Sequence, residues 1–310
     1  VIKLGVNLPQ FEWYAAGTDI ATAAAGFEEI GFDSVWAFER LLRPLDQSGA
    51  HGLFGAPDVP WPDRYRHTTE PLTALATAAA VTSRVRLGTN VLIAPLHLPV
   101  QLAKTLASLD AVSGGRLIAG LGTGWSPDEF AAAAPRPIAE RGAALDEFLD
   151  IAAAAWGPDP ARFRNERWDL APSEFGPKPA GRIPVYLGGA GPRVLERIAR
   201  RADGWVPVAT PAAQMGASLT ALREKAASYG RDPLDVGIIA QLTVAGFERV
   251  TSAGRRPYTG DFDQLAEDVA ALAEVGVDHV FLTAAGSSRS VQELLENAAT
   301  FHAAVRAAGV

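Results

Sequence analysis

Two hydrophobic periods alternate along most of this chain. Short runs of strand length, rich in branched apolar side chains, fall at Lys3–Leu8, Ser34–Ala37, Val85–Ile93, Leu117–Leu121, Pro184–Leu187, Gly204–Val208, Val236–Val244 and Asp278–Thr283. Between them, apolar residues recur at helical spacing. Ile20, Ala24 and Phe27 define one face of a helix over Asp19–Ile30, stopped by Gly31. Val100, Leu102, Ala103, Leu106 and Leu109 mark another, broken at Ser113-Gly114-Gly115. Further helices are predicted over Ile138–Ala155, Pro192–Ala202, Pro211–Tyr229, Asp263–Val275 and Val291–Ala307, with Asp261 and Gln264 as a capping pair. Strand, helix, turn and strand in succession make a βαβ unit, whose crossover favours a parallel sheet.

An internal echo extends that reading. Glu29–Trp36 (EIGFDSVW) matches Glu274–Phe281 (EVGVDHVF), and Arg201–Val206 is a looser third version. Each reads as a helix end, a tight turn and a buried strand, the junction that a closed βα barrel repeats on its N-terminal face. Alternation from end to end argues for one domain over residues 1–310 rather than two. Two segments interrupt it. Residues 39–70 are rich in Pro, Gly, Asp and His and leave a strand's C-terminal end, so a lid or substrate wall is expected there; an inert surface or dimer insertion is the alternative. Residues 157–181, with Phe163, Trp168 and Phe175 among prolines, predict a short hairpin over the barrel top.

Composition narrows the function classes. A chain of 310 residues, 48% hydrophobic and 20% charged, reads as an ordinary globular protein. Its net charge of −7 gives no support to nucleic-acid or anionic-membrane binding. Absence of cysteine removes disulfides, thiolate catalysis and Fe–S clusters. Val1–Gln10 lacks the basic and apolar regions of a signal peptide, so a cytoplasmic location is expected. No histidine pair has metal-ligand spacing, and neither a Gly-x-Ser-x-Gly elbow nor a phosphate-binding lysine loop occurs.

Reactive groups of a βα barrel cluster where its strands end. Three of those ends are glycine-rich: Gly122-Thr123-Gly124, Gly188-Gly189-Ala190-Gly191 and Ala285-Gly286. Backbone N–H groups in such turns, ahead of a helix N-terminus, suit a phosphate, although a glycine turn is also the usual way to leave a strand.

Three stretches carry a family likeness: RLGTNVL at Arg86–Leu92, LAKTLASLDAVSGGRL at Leu102–Leu117 and GLGTGW at Gly120–Trp125. In this order and spacing the chain closely resembles the luciferase-like monooxygenase superfamily of flavin and deazaflavin enzymes, with weaker similarity from Leu4 to about Ala304. The resemblance implies an α/β fold of the (β/α)8 TIM-barrel type, with its inserted loops at the C-terminal face. It implies a bound deazaflavin, coenzyme F-420, with FMN as the alternative, and a small organic substrate. A non-prolyl cis peptide at Asn90-Val91 would back the cofactor ring. Gly122, Thr123, Gly124 and Trp125, together with Gly188, Gly189, Ala190 and Gly191, would approach its phosphate. Substrate would enter beside Trp13 and Trp61. A homodimer is also implied, and in the FMN case a separate reductase supplying reduced flavin.

One departure stands out. Deazaflavin members commonly carry an acidic residue followed by histidine after the second strand, and this chain has Glu39-Arg40. A guanidinium stays protonated, so it cannot shuttle a proton, but it can stabilise negative charge. Glu39 could bond the cofactor, act as acid or base, or form an exposed ion pair with Arg40. His51 and His67 lie in the inserted segment, and either could replace the missing proton carrier, while His97 fits a structural hydrogen bond. Loss of the histidine also keeps open a barrel that binds flavin without turnover.

Overall fold

The computed structural model describes residues 1–252 and 254–310. In chain order its elements begin with β1 (Lys3–Asn7), α1 (Ala16–Ile30), β2 (Ser34–Ala37), α2 (Pro71–Val81), β3 (Arg86–Thr89), β4 (Leu92–Ile93) and α3 (Pro99–Ser113). Next come β5 (Leu117–Gly122), α4 (Pro127–Ala133), α5 (Arg141–Trp156), β6 (Ala161–Arg164), β7 (Asp169–Ser173), β8 (Val185–Gly188) and α6 (Pro192–Arg201). The last are β9 (Gly204–Val206), α7 (Ala212–Ser228), β10 (Gly237–Leu242), α8 (Phe262–Glu274), β11 (His279–Leu282) and α9 (Val291–Ala307). Parallel pairing runs β3-β2-β1-β11-β10-β9-β8-β5 and closes through β5 onto both β3 and β4. With β3 and β4 counted as one interrupted strand, this is the expected eight-stranded (β/α)8 barrel.

Alternation along each strand sends every second side chain inward. Trp36, Ile118, Val206, Ile239 and Phe281 meet there as a separate apolar cluster, with Trp36 stacked on Phe281 at 4.7 Å. Gly88 makes room for that layer, because a Cβ on it would lie 2.3 Å from the Trp36 ring. One register nearer the N-terminal face, Ser34 Oγ accepts the Trp36 indole N–H at 2.7 Å and bonds His279 Nε2 at 2.8 Å. Burial holds the His279 pKa down at about 3, so this histidine is neutral and structural. One register nearer the C-terminal face, Asn90 and Gln241 replace apolar residues, and the core gives way to a polar mouth.

Local signals behave as their chemistry requires. Gly31 ends α1 in the left-handed region (φ 106°), and Asp261 and Gln264 form a reciprocal capping box on α8. Helix α2 was not foreseen: its PLTALATAAAV sequence is alanine-rich and nearly all apolar, so no one-sided pattern marks it. Its N-cap is Glu70, whose carboxylate accepts from Leu72 and Thr73 N–H. The expected hairpin is present as β6 and β7. It starts beyond the C-terminal end of α5 and runs back along that helix, so that Trp168 at its turn lies beside Pro95 and His97, just past the end of β4. Asn165 Nδ2 and Trp168 Nε1 both donate to the Glu147 carboxylate.

The long connection from β2 to α2 does leave the C-terminal end of its strand. It contains three short 3-10 turns, Gly49–His51, Leu53–Gly55 and Asp63–Tyr65. A bridge from Phe11 to Thr68 pins its far end, and the Gln10 amide ties Phe38 to Thr69. Among the described residues, no helix is long and apolar enough to cross a membrane.

Candidate active site

The mouth is built around the break between β3 and β4. The Asn90-Val91 peptide is cis. Val91 lies against two glycines of neighbouring strands: a Cβ on Gly122 would come within 2.5 Å of its Cγ2, and one on Gly188 within 2.8 Å of its Cγ1. Those glycines therefore clear space for the wall itself. Asn90 Nδ2 donates to Gln241 Oε1 at 2.8 Å, from β3 straight across to β10. Sequence reading missed Gln241, although a polar residue at an inward position of the GIIAQL strand is a readable signal.

Glu39 is buried behind that wall. Its backbone N–H donates to the Val91 carbonyl, one carboxylate oxygen accepts the Ile93 N–H at 2.5 Å, and the other bonds His97 Nε2 at 2.7 Å. Burial works to keep the His97 imidazole neutral, but the Glu39 hydrogen bond and charge overcome it and raise the His97 pKa above the ordinary histidine value.

Arg40 turns away from the Glu39 carboxylate. Its Nη2 lies 3.2 Å from Glu129 Oε2, on α4, with both side chains buried. The guanidinium sits in an aromatic cage, 4.9 Å from the Trp125 ring centroid, 5.3 Å from Trp61 and 5.9 Å from Tyr65. The pair is thus not the exposed Glu39–Arg40 contact entertained from sequence. Burial raises the Glu129 pKa, against the pull of Arg40 and of the Leu41 and Leu42 N–H groups. Glu129 was overlooked because it lies 89 positions downstream of its partner, as an ordinary acid in a helix's first turn.

The two histidines of the inserted segment part company. His51 Nδ1 is 3.0 Å from both carboxylate oxygens of Asp128, whose hydrogen bond raises its pKa. It ties the segment to α4, beside Glu129. His67 Nε2 lies 3.5 Å from Glu12 Oε2, mostly exposed, in the wall of a cavity of about 500 Å3 that is also lined by Gln10, Tyr14, Arg40 and Tyr65. Trp13 stays on the surface, its indole N–H on the Ser288 carbonyl at 2.9 Å and its ring stacked on Phe11. Trp61 is buried against Trp125, with ring centroids 4.6 Å apart, so it is a wall of the Arg40 cage.

The two predicted phosphate loops differ in kind. Gly124 has φ 74°, and a Cβ there would lie 2.7 Å from Ile93 Cγ2 and 2.9 Å from Phe130 Cε2, so local packing already demands glycine. Thr123 and Trp125 flank it, partly exposed. Gly189, Ala190 and Gly191 are exposed and lead into α6, whose N-terminus has no side-chain cap and no acidic residue in its first turn. Arg193 stands there instead, a cation at the positive end of the helix dipole.

This barrel and mouth define a luciferase-like oxidoreductase. The chain belongs to the luciferase-like monooxygenase family, whose model matches residues 4–253. It is 38% identical over 192 residues to an uncharacterised protein of Mycobacterium tuberculosis, an alignment covering 61% of this chain and 67% of that one. With the F-420-dependent glucose-6-phosphate dehydrogenase of Kineococcus radiotolerans it shares 30% identity over 234 residues, 74% of this chain and 64% of that one. Among solved structures, an F-420-dependent secondary alcohol dehydrogenase in complex with an F-420–acetone adduct matches with a TM-score of 0.77 at 17% identity, covering 98% of this chain and 99% of that one. A coenzyme F-420-dependent tetrahydromethanopterin reductase of Methanopyrus kandleri matches at 0.74 and 16%, covering 99% of each.

Proposed function

We propose that this chain transfers a hydride between bound coenzyme F-420 and a small organic substrate. The observation that carries the reading is the pairing of two features on adjoining parts of the mouth. One is the Asn90-Val91 wall, cleared by Gly122 and Gly188. The other is the uncapped, cationic N-terminus of α6 beyond Gly188–Gly191. A planar ring fits the first and a phosphate the second, so the residues present fit a deazaflavin or flavin nucleotide. The 30% identity with an F-420-dependent dehydrogenase favours the deazaflavin over FMN.

Bound F-420 supplies the hydride chemistry; the barrel supplies orientation and charge. Asn90 and Val91 would back the ring, and the α6 N–H groups with Arg193 would hold the phosphate. Arg40 is neutralised by Glu129 and keeps the inserted segment seated on α4. Glu39 has both carboxylate oxygens engaged and holds the β4 backbone and His97 in place. That leaves His67 and Glu12, facing the cavity, as the groups that exchange a proton with a substrate there.

The test is anaerobic. Protein loaded with oxidised F-420 is mixed with a panel of alcohols, and protein loaded with reduced F-420 with carbonyl compounds and activated alkenes, while the deazaflavin absorbance is followed. A substrate-dependent change with at least one class is the expected result. In a parallel aerobic assay, oxygen-dependent turnover with reduced FMN alone would make it a flavin monooxygenase, and a bound but spectrally silent cofactor in both assays would make it a non-catalytic barrel.

A further inference from the structure

Asn90 and Gln241 meet across the full width of the barrel mouth. Their strands, β3 and β10, stand four places apart in the eight-strand ring, which is the largest separation it allows. The 2.8 Å bond between their side chains is therefore a diametral bridge above the Trp36–Phe281 layer. Neither residue is shut into the core, since both are only partly buried.

A primary amide carries one acceptor oxygen and one NH2 donor. A single N–H···O bond joins these two. Whichever amide is turned to donate, one carbonyl oxygen and one NH2 group are left over, so the conclusion does not depend on how either amide is oriented. Among the described residues, no other hydrogen bond engages either side chain. Half-buried polar groups of this kind take a partner from solvent or from a ligand. A ligand that satisfied both would present the complementary couple, a C=O beside an N–H.

We propose that the Asn90–Gln241 couple reads the lactam edge of the ring bound at the mouth, which makes Gln241 a cofactor-binding residue. The inference rests on the functional reading above and deepens it. Flavin and deazaflavin rings both carry such an edge in their pyrimidine portion. The couple therefore fixes which edge of the ring enters the barrel, without choosing between the two cofactors. A bridge whose only task was to close the barrel would be indifferent to that edge.

The experiment measures the affinity of the wild type and of Gln241→Leu and Gln241→Glu for F-420 and for FMN, by fluorescence titration. Whichever cofactor the wild type binds is then compared with its derivative methylated at the pyrimidine N3, which has lost the N–H. Losing one hydrogen bond at such a site weakens binding by about fivefold to tenfold. That loss is expected in Gln241→Leu with the natural ring, and again in the wild type with the methylated ring. Equal wild-type affinity for the natural and methylated rings overturns the inference even if the variants fail to fold. Unchanged affinity in a folded Gln241→Leu protein overturns it as well. If the wild type binds neither cofactor, the functional reading itself falls, and this inference with it.

Discussion

Arg40 and Glu129 form a buried ion pair beside the barrel mouth, Nη2 to Oε2 3.2 Å, with side chains 6% and 1% exposed. Glu129 Oε1 also accepts the Leu41 N–H at 2.8 Å, so one carboxylate holds both the side chain and the backbone of the segment that follows β2. Removing the cation leaves a buried charge without compensation. Arg40→Ala should lower the unfolding free energy by about 3 kcal/mol at neutral pH, while Arg40→Met combined with Glu129→Leu loses less. Acidification should restore part of the Arg40→Ala loss, because the stranded carboxyl takes up a proton. Urea midpoints across pH check this; an Arg40→Ala protein as stable as wild type would return Arg40 to a free cation.

Glu39 and His97 give a pH signature of definite sign. The folded His97 pKa lies above the unfolded value, so this pair's contribution is fully present below about pH 6.5 and is lost as pH rises through the folded pKa. In Glu39→Gln the burial that favours neutral imidazole remains, while the Glu39 charge is gone and only the lesser pull of Glu70 still opposes it. The His97 pKa should then drop below the ordinary histidine value. Histidine ring NMR titration reads this directly, and an unmoved His97 resonance would show that Glu39 does not control it.

Arg193 separates stability from cofactor binding. Glutamate in the first turn of α6 suits the helix dipole, so Arg193→Glu should gain about 0.3–1 kcal/mol of stability. The same change places a negative charge where the cofactor phosphate is proposed to sit. Melting temperature up and F-420 affinity down is the expected outcome; unaltered affinity would move the phosphate off α6.

Gly124 is expected to fail for a reason unrelated to phosphate. Alanine there strains a φ of 74° and pushes a methyl group into Ile93 and Phe130. Gly124→Ala should cost about 1–3 kcal/mol in the cofactor-free protein. Thermal melts without cofactor test this, and a wild-type melting temperature would leave the glycine to a ligand.

What the chain reveals on reading divides by range. Strand and helix periods, the Gly31 stop and the Asp261–Gln264 box act within a few residues, and each reappears in the structure. The Arg86–Trp125 words carried the barrel, the family and the Asn90-Val91 break. What stayed hidden depends on closure of the ring: Gln241 meets Asn90 across 151 positions and Glu129 meets Leu41 across 88. A local pattern can mark Gln241 as a polar residue in an apolar strand, but none names the distant partner of either residue. Helix α2 was missed for the opposite reason, its alanines giving no polar face to contrast.

The most direct measurement is a competitive titration of the cofactor-free protein with F-420 and FMN, read by ring absorbance and fluorescence under anaerobic conditions. F-420 should bind saturably, one to one, with FMN displacing it only in excess. Tighter binding of FMN, or no binding of either ring, would contradict a deazaflavin site.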